Sequence, residues 1–219
     1  MPRLILASSS PRRRELLQEA GFSFEKITPA STAECGVCSH ETPPELVARL
    51  ALQKASDVVH RLRHARAGTP NSSTFDTIII GCDTVAECAG RILGKPADAS
   101  HARSMLTLLR GREHRVYSGL CLRALCSDET HVQVDRTTLR MDLFSESQLE
   151  EYLASGLWEG KAGAFGYQDR PGWLHIVEGS ESNVVGLPIE LLRTMLANLG
   201  VATPHRPNSS SLGCRVPGC

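Results

Sequence analysis

Aromatic residues make up only 5% of the 219 positions, and neither sign of charge is in excess, with 24 Lys+Arg against 24 Asp+Glu. The scarcity of rings argues against a stacking platform for single-stranded nucleic acid. The neutral balance argues against a surface that coats nucleic acid or an anionic membrane, although a local basic site remains compatible with it. No apolar run approaches the roughly 20 residues of a membrane span. The opening run Leu4-Ile5-Leu6-Ala7 is too short for the core of an export signal, and three arginines follow it, so a cytoplasmic protein is expected. A Walker A pattern, a G-x-S-x-G elbow and an H-E-x-x-H pair are all missing. The eight cysteines are scattered through a chain of ordinary size, and without an export signal free thiols are the expectation.

What the chain does contain is a mixture of strand and helix signals in a length that suits one domain, or one domain with two lobes. Arg3 to Ala7 reads as a buried strand. Ser10-Pro11 reads as a cap and first turn for a helix to about Ala20, stopped by Gly21. Phe22 to Ile27 reads as a second strand. Thr42-Pro-Pro-Glu45 is a capping box that opens a long amphipathic helix. Thr77 to Cys82 is a continuous apolar, β-branched run, expected as a central strand with Asp83-Thr84 at its C-terminal end. A hairpin about Ala89-Gly90-Arg91 follows, then a helix capped by Asp98 and ending near Leu109. Strands are expected over Arg115 to Leu125 and Val132 to Met141, and a helix from the box Ser145-Glu-Ser-Gln148 to Gly156. Trp173 to Glu178 reads as a strand, and Pro188 to about Leu199 as a last helix. The segment after Gly200 lacks periodicity and is expected to be disordered.

Four groups carry possible chemistry. Ser8-Ser9-Ser10 followed by Arg12, Arg13 and Arg14 puts hydroxyls and guanidinium groups at a helix start. The unpaired N–H groups there attract anions, and arginine grips phosphate. A solvated charge run is the plain alternative. Asp83, at the end of an apolar strand, is placed to take a proton or hold a divalent metal, or else is a turn-forming aspartate. Lys54 on the long helix, Lys95 in Gly-Lys-Pro and Lys161 in Gly-Lys-Ala-Gly become meaningful only if they meet at one anion. Cys35-Gly-Val-Cys38 with His40 nearby suggests zinc or redox chemistry, but no second CxxC completes a metal site. The sum points to a phosphate-bearing small molecule without fixing the reaction.

Seven stretches together resemble the Maf family of nucleoside triphosphate pyrophosphatases, the dTTP/UTP-preferring subgroup in particular. They are LILASSSPRRRELL (Leu4 to Leu17), PPELVARLALQKA (Pro43 to Ala55), IIIGCDTV (Ile78 to Val85), LGKPADA (Leu93 to Ala99), GREHRVYSG (Gly111 to Gly119), GKAGAFGYQ (Gly160 to Gln168) and NVVGLP (Asn183 to Pro188). The resemblance implies an α/β fold with an elongated mixed β-sheet flanked by helices, two lobes with a cleft, and an inosine triphosphate pyrophosphatase-like arrangement. It implies one such domain over residues 1–200 with a tail over 201–219, and a homodimer.

The implied reaction is hydrolysis of a nucleoside triphosphate to the monophosphate and pyrophosphate with a divalent cation, Mg²⁺ or Mn²⁺. By family match Asp83 is the proton acceptor, and Ser8, Arg12, Arg13, Lys54 and Lys95 bind phosphates. Glu34 joins Asp83 at the metal. Arg12, Thr84 and Gln168 together match the subgroup acting on dTTP and UTP, and the Gln168 amide can pair with the O4 and N3–H edge of a pyrimidine. Two departures stand out: Ser31-Thr32-Ala33-Glu34 keeps one carboxylate of an acidic run, and Tyr167-Gln168-Asp169-Arg170 replaces an apolar-Gln-Gly context. The same chemistry on another base such as 7-methyl-GTP, and a non-catalytic nucleotide-binding regulator of cell division, are the rival readings.

Overall fold

A computed structural model describes residues 2–31, 41–66, 77–169 and 172–204. Glu34, Cys35, Cys38 and His40 lie outside the described residues, so the CxxC reading and half of the expected metal pair do too. Among the described residues, seven strands form one mixed sheet: β1 (Arg3–Ala7), β2 (Glu25–Ile27), β3 (Thr77–Cys88), β4 (Arg91–Leu93), β5 (Glu113–Ala124), β6 (Thr130–Met141) and β7 (Leu174–Glu178). The order is β2-β1-β3-β5-β6-β7, with β4 paired to β3 outside that path. The β1 strand is parallel to β2 and β3, and all other pairings are antiparallel. Among the described residues, six α-helices accompany the strands: α1 (Pro11–Glu19), α2 (Pro43–Arg66), α3 (Ala99–Leu109), α4 (Glu146–Ala154), α5 (Glu181–Val185) and α6 (Ile189–Asn198).

The alternation of a strand sorts its side chains onto two layers. Ile5, Ile79 and Cys121 face Ala51, Ala55 and Val58 of α2. Their neighbours Leu6, Ile80 and Leu120 face Leu17 of α1 and Leu192 and Leu196 of α6. A second core lies beyond the hairpin, where Leu106 and Leu109 of α3 and Leu149 of α4 pack with Leu139, Met141, Phe144 and Trp173. The two cores share the long strands β3, β5 and β6, and this gives the two lobes. Among the described residues no helix is long and apolar enough to cross a membrane. Cys82, Cys88, Cys121 and Cys126 are all unpaired thiols.

The caps follow the sequence. Ser10, Asp98 and Ser145 each accept from the third residue of their helices, and Ser145 and Gln148 complete a reciprocal box. At the start of α2, Glu45 reaches back to the Thr42 amide at 2.9 Å.

Four expectations change. The second strand starts at Glu25 rather than Phe22, because the Phe22 amide is spent on the Leu17 carbonyl at the end of α1. The third strand does not stop at Cys82 but runs twelve residues to Cys88, so Asp83 is in mid-strand. The short helix α5, capped by Ser180, was not expected, since five residues are too few for a periodic pattern. The start of the tail is ordered: Val201 packs on the α1–α6 core, and Arg193 donates to the Pro204 carbonyl.

The α2 helix approaches the sheet closely at two glycines. A Cβ on Gly81 would stand 2.2 Å from the Ala51 carbonyl oxygen, and one on Gly119 would stand 2.1 Å from that of Val47. Helix backbone thus lies directly on strand backbone at both points. Gly119→Ala is expected to push α2 off the sheet and to cost about 3 kcal/mol or more, above ordinary overpacking because backbone must move. Urea unfolding checks this, and a loss under about 1 kcal/mol would show that α2 is not held there.

His114, on β5, is 2% exposed and packs edge-on against Phe165 at 5.1 Å. Among the described residues, neither ring nitrogen has a partner with hydrogen-bond geometry. Burial pushes its pKa down to about 4, against weaker upward pulls from the Arg112 backbone and the Glu87 carboxylate. The unfolded chain therefore takes the proton first, and the stability tied to neutral His114 is full above about pH 6.5 and lost as pH falls toward 4. The shift corresponds to about 3 kcal/mol. Melting curves between pH 7 and pH 4 should show a shallower acid loss in His114→Leu than in the parent chain.

Candidate active site

The partners of β3 change along its length. Pairing with β1 ends at Ala7 opposite Gly81, and pairing with β4 begins at Ala86 opposite Leu93. Between them, residues 82–85 keep β5 on one side and have no strand on the other. A cleft of about 530 Å³ opens at this gap. Ser8, Arg12, Arg13, Lys54, Asp83, Thr84, Lys95 and Gln168 all line it, and so does Lys161. Every described residue nominated from the sequence for the site therefore meets there, although they come from five different segments.

Asp83 and Thr84 point to opposite faces of the sheet, as adjacent strand residues must. Asp83 faces α2, where its Oδ1 accepts from Lys54 Nζ at 2.6 Å. The side chains are only 14% and 6% exposed, so the pair is largely withdrawn from water. Lys54 sits one turn from Ala51, whose carbonyl rests over Gly81, so the close helix–strand contact carries the ammonium to the carboxylate.

Thr84 faces the other layer. Its hydroxyl meets Ser118 Oγ at 2.8 Å and receives Arg13 Nη2 at 3.2 Å. Arg13 Nε donates to the Gly186 carbonyl at 2.8 Å. Behind them the fully buried Asn183 donates from Nδ2 to Thr137 Oγ1 at 2.9 Å, which anchors α5 to β6. Arg13 thus spends two of its nitrogens on the protein and ties α1 to the turn after α5. Ser118, Asn183 and Gly186 were missed as individual residues. Their signal was that they fall inside YSG and NVVGLP.

The loop after β1 wraps the start of α1. Ser8 is buried, and its Oγ accepts from the Ser10 amide at 3.1 Å. The first turn of α1 holds no acidic residue. Among the described residues, Arg12 has only an exposed pairing with Glu15 at 3.1 Å, a contact of the kind worth little in water and readily exchanged for an anion. Lys95 is exposed and, among the described residues, has no partner. Arg14 is exposed on the far side of the helix. Cys82, behind Asp83, is fully buried with its sulfur 3.3 Å from the Gly186 carbonyl, and burial pushes its thiol pKa up, so it is no nucleophile.

At the opposite wall, Gln168 lies in the second of two short 3₁₀ turns, Ala162–Ala164 and Tyr167–Asp169. Its side-chain amide has no partner among the described residues. Lys161 pairs with Asp169 at 2.5 Å.

Among the described residues there is no group of three metal-ligating side chains. Among the described residues, Asp83 is the one carboxylate lining the cleft, with one oxygen engaged by Lys54. That donor set does not make a protein cage. It fits a hard cation that keeps its waters and takes most of its oxygen ligands from a bound polyphosphate, as Mg²⁺ commonly does.

Residues 3–199 match the Maf-like protein family. A dTTP/UTP pyrophosphatase of Rhodopirellula baltica is 50% identical over 196 residues, covering 89% of this chain and 81% of its own. One from Dictyoglomus thermophilum is 38% identical over 198 residues, covering 90% and 96%. A solved nucleoside-triphosphatase / dITP/XTP pyrophosphatase of Mycobacterium abscessus aligns over 90% of this chain and 95% of its own, at 15% identity and a TM-score of 0.38, a likeness too weak to carry an argument. With the match running from β1 through the last helix and taking in every wall of the cleft, the chain belongs to the Maf-like protein family.

Proposed function

We propose that this protein hydrolyses pyrimidine nucleoside triphosphates, dTTP and UTP or modified forms of them, to the monophosphate and pyrophosphate, and so clears them from the nucleotide pool. The observation that carries the reading is the convergence at one gap in the sheet of Asp83 with Ser8, Arg12, Lys54 and Lys95. A triphosphate brings about four negative charges, and Arg12, Arg13, Lys54, Lys95 and Lys161 all line the cleft where such a chain would lie. The names of the relatives support the pyrimidine preference.

In this reading Asp83 accepts the proton of a water that attacks the α-phosphorus. Lys54 fixes the orientation of that carboxylate through the 2.6 Å contact. Ser8, the amides at the start of α1, Arg12 and Lys95 hold the β- and γ-phosphates and neutralise the charge that grows on the leaving pyrophosphate. Arg13 aligns the start of α1 with the Gly186 turn and keeps a third nitrogen for a phosphate oxygen. A divalent cation, Mg²⁺ or Mn²⁺, held by Asp83 and Glu34 together with the phosphates, would screen the substrate's charge. The unengaged amide of Gln168 reads the base edge, and the Arg13–Thr84–Ser118 chain stiffens the wall between base and phosphates.

Incubation with a panel of triphosphates and Mg²⁺, with pyrophosphate and orthophosphate assayed separately, tests the reaction. Pyrophosphate release from dTTP and UTP is expected, and orthophosphate as the sole product would exclude attack at the α-phosphorus. Asp83→Asn keeps the shape and the Lys54 contact but cannot take the proton. It should lower kcat by about 10²–10⁴-fold while nucleotide binding persists; undiminished turnover would reassign the base. Gln168→Ala should lower kcat/KM for dTTP and UTP about tenfold, the worth of one or two hydrogen bonds. An equal loss on purine triphosphates would show that Gln168 does not read the base.

A further inference from the structure

We infer that Asp169 is a positioning residue for the base end of the cleft: by pinning Lys161 it fixes where the neighbouring Gln168 amide stands, and so governs discrimination between bases. This rests on the reading of Gln168 as the group that meets the base. The segment from Lys161 to Asp169 closes on itself. Lys161 at its start and Asp169 at its end meet at 2.5 Å across eight residues. The same Asp169 oxygen, Oδ2, accepts from the Tyr152 hydroxyl of α4 at 3.0 Å. That hydroxyl in turn accepts from the Gly166 amide, at the middle of the segment, at 3.2 Å. One carboxylate oxygen and one phenol thus hold the beginning, middle and end of the wall. Burial first, and the Asp169 charge second, push the Tyr152 pKa up, so the phenol stays a neutral donor.

The head groups converge over Gly166. A Cβ there would lie 2.5 Å from Asp169 Oδ2, 2.7 Å from Lys161 Nζ and 2.8 Å from Gln168 Nε2. The base-reading amide therefore shares its immediate surroundings with the ion pair. The Asp169 side chain is 5% exposed and that of Lys161 18%, so this is a desolvated pairing rather than a surface one. Without the carboxylate, the largely desolvated Lys161 ammonium loses its partner and the segment loses the tie between its two ends, so the Gln168 amide is no longer held in one place. A resident glycine or asparagine could not supply that tie, since neither carries the charge.

The test is a double-mutant cycle on Asp169→Asn and Lys161→Met, read by steady-state kinetics with dTTP, UTP, ATP and GTP and Mg²⁺, with melting temperatures alongside. Asn keeps an acceptor for Tyr152 and loses only the charge. In Asp169→Asn, KM for the preferred triphosphates should rise about tenfold with kcat within about twofold, while KM for the poorer ones moves less than about twofold. In the Lys161→Met background the same substitution should add less than about twofold, because its partner is already gone. Asp169→Glu, which keeps the charge, should recover part of the discrimination. An unchanged KM in Asp169→Asn, an equal rise for every base, or full additivity with Lys161→Met would each overturn the inference. A parent chain that released pyrophosphate from no triphosphate would instead overturn the functional reading, and this inference with it.

Discussion

The approach of α2 to the sheet is the constraint on which the site depends. A helix normally stands off a sheet by the thickness of its side chains. Here two glycines on adjacent strands, Gly81 on β3 and Gly119 on β5, remove that thickness, and the Val47 and Ala51 carbonyls rest on bare strand backbone. Gly119 is the registered partner of Asp83 itself. The contact that brings helix to sheet is therefore the one that brings Lys54 to Asp83, and the ion pair inherits its geometry from packing rather than from its own attraction. That matters because a largely buried ion pair gains little net free energy once desolvation is counted. The core holds the pair in place more than the pair holds the core.

The gap in the sheet supplies the rest. The β1 strand is only five residues long and β3 is twelve, so β3 outruns its parallel partner. The hairpin strand β4 covers the far end and leaves residues 82–85 uncovered on that side. The loop that leaves β1 fills one flank of the opening with Ser8 and the start of α1. The loop that leaves β4 brings Lys95, and the Gly94 carbonyl accepts from the Gly163 amide to draw in the segment that carries Gln168. A change of strand partner thus becomes a place where three loop segments face one another.

The cations of the cleft are not equivalent. Lys54 is committed to Asp83, Lys161 to Asp169, and Arg13 to Gly186 and Thr84. Arg12 holds only an exposed neighbour, and Lys95 stands in solvent. The committed groups set shape, and the loosely held ones can turn toward an incoming phosphate at small cost. Part of the basic cluster at the start of α1 is structural in this sense, and Arg14 does not line the cleft.

Much of this is legible in the amino-acid sequence. Apolar alternation, caps and glycine stops are local, so β1, α1, α2 and the capped helices α3 and α4 could be read from a few neighbouring residues. The residue types of the site were legible for the same reason, because serines and arginines at a helix start, an aspartate closing an apolar run and lysines beside glycine stand out within a few neighbouring residues. Three features were not. The mid-strand place of Asp83 depends on β4 and β5 continuing the pairing past Cys82. The short α5 depends on the buried anchoring of Asn183. The Lys161–Asp169–Tyr152 knot joins α4 to a loop. Each is decided by groups distant in sequence, and a local pattern carries no information about them. The sequence by itself determined which groups could do chemistry. The tertiary structure decided which of them meet and which are spent on holding the site, because that depends on the strand pairings and backbone contacts that bring remote segments together.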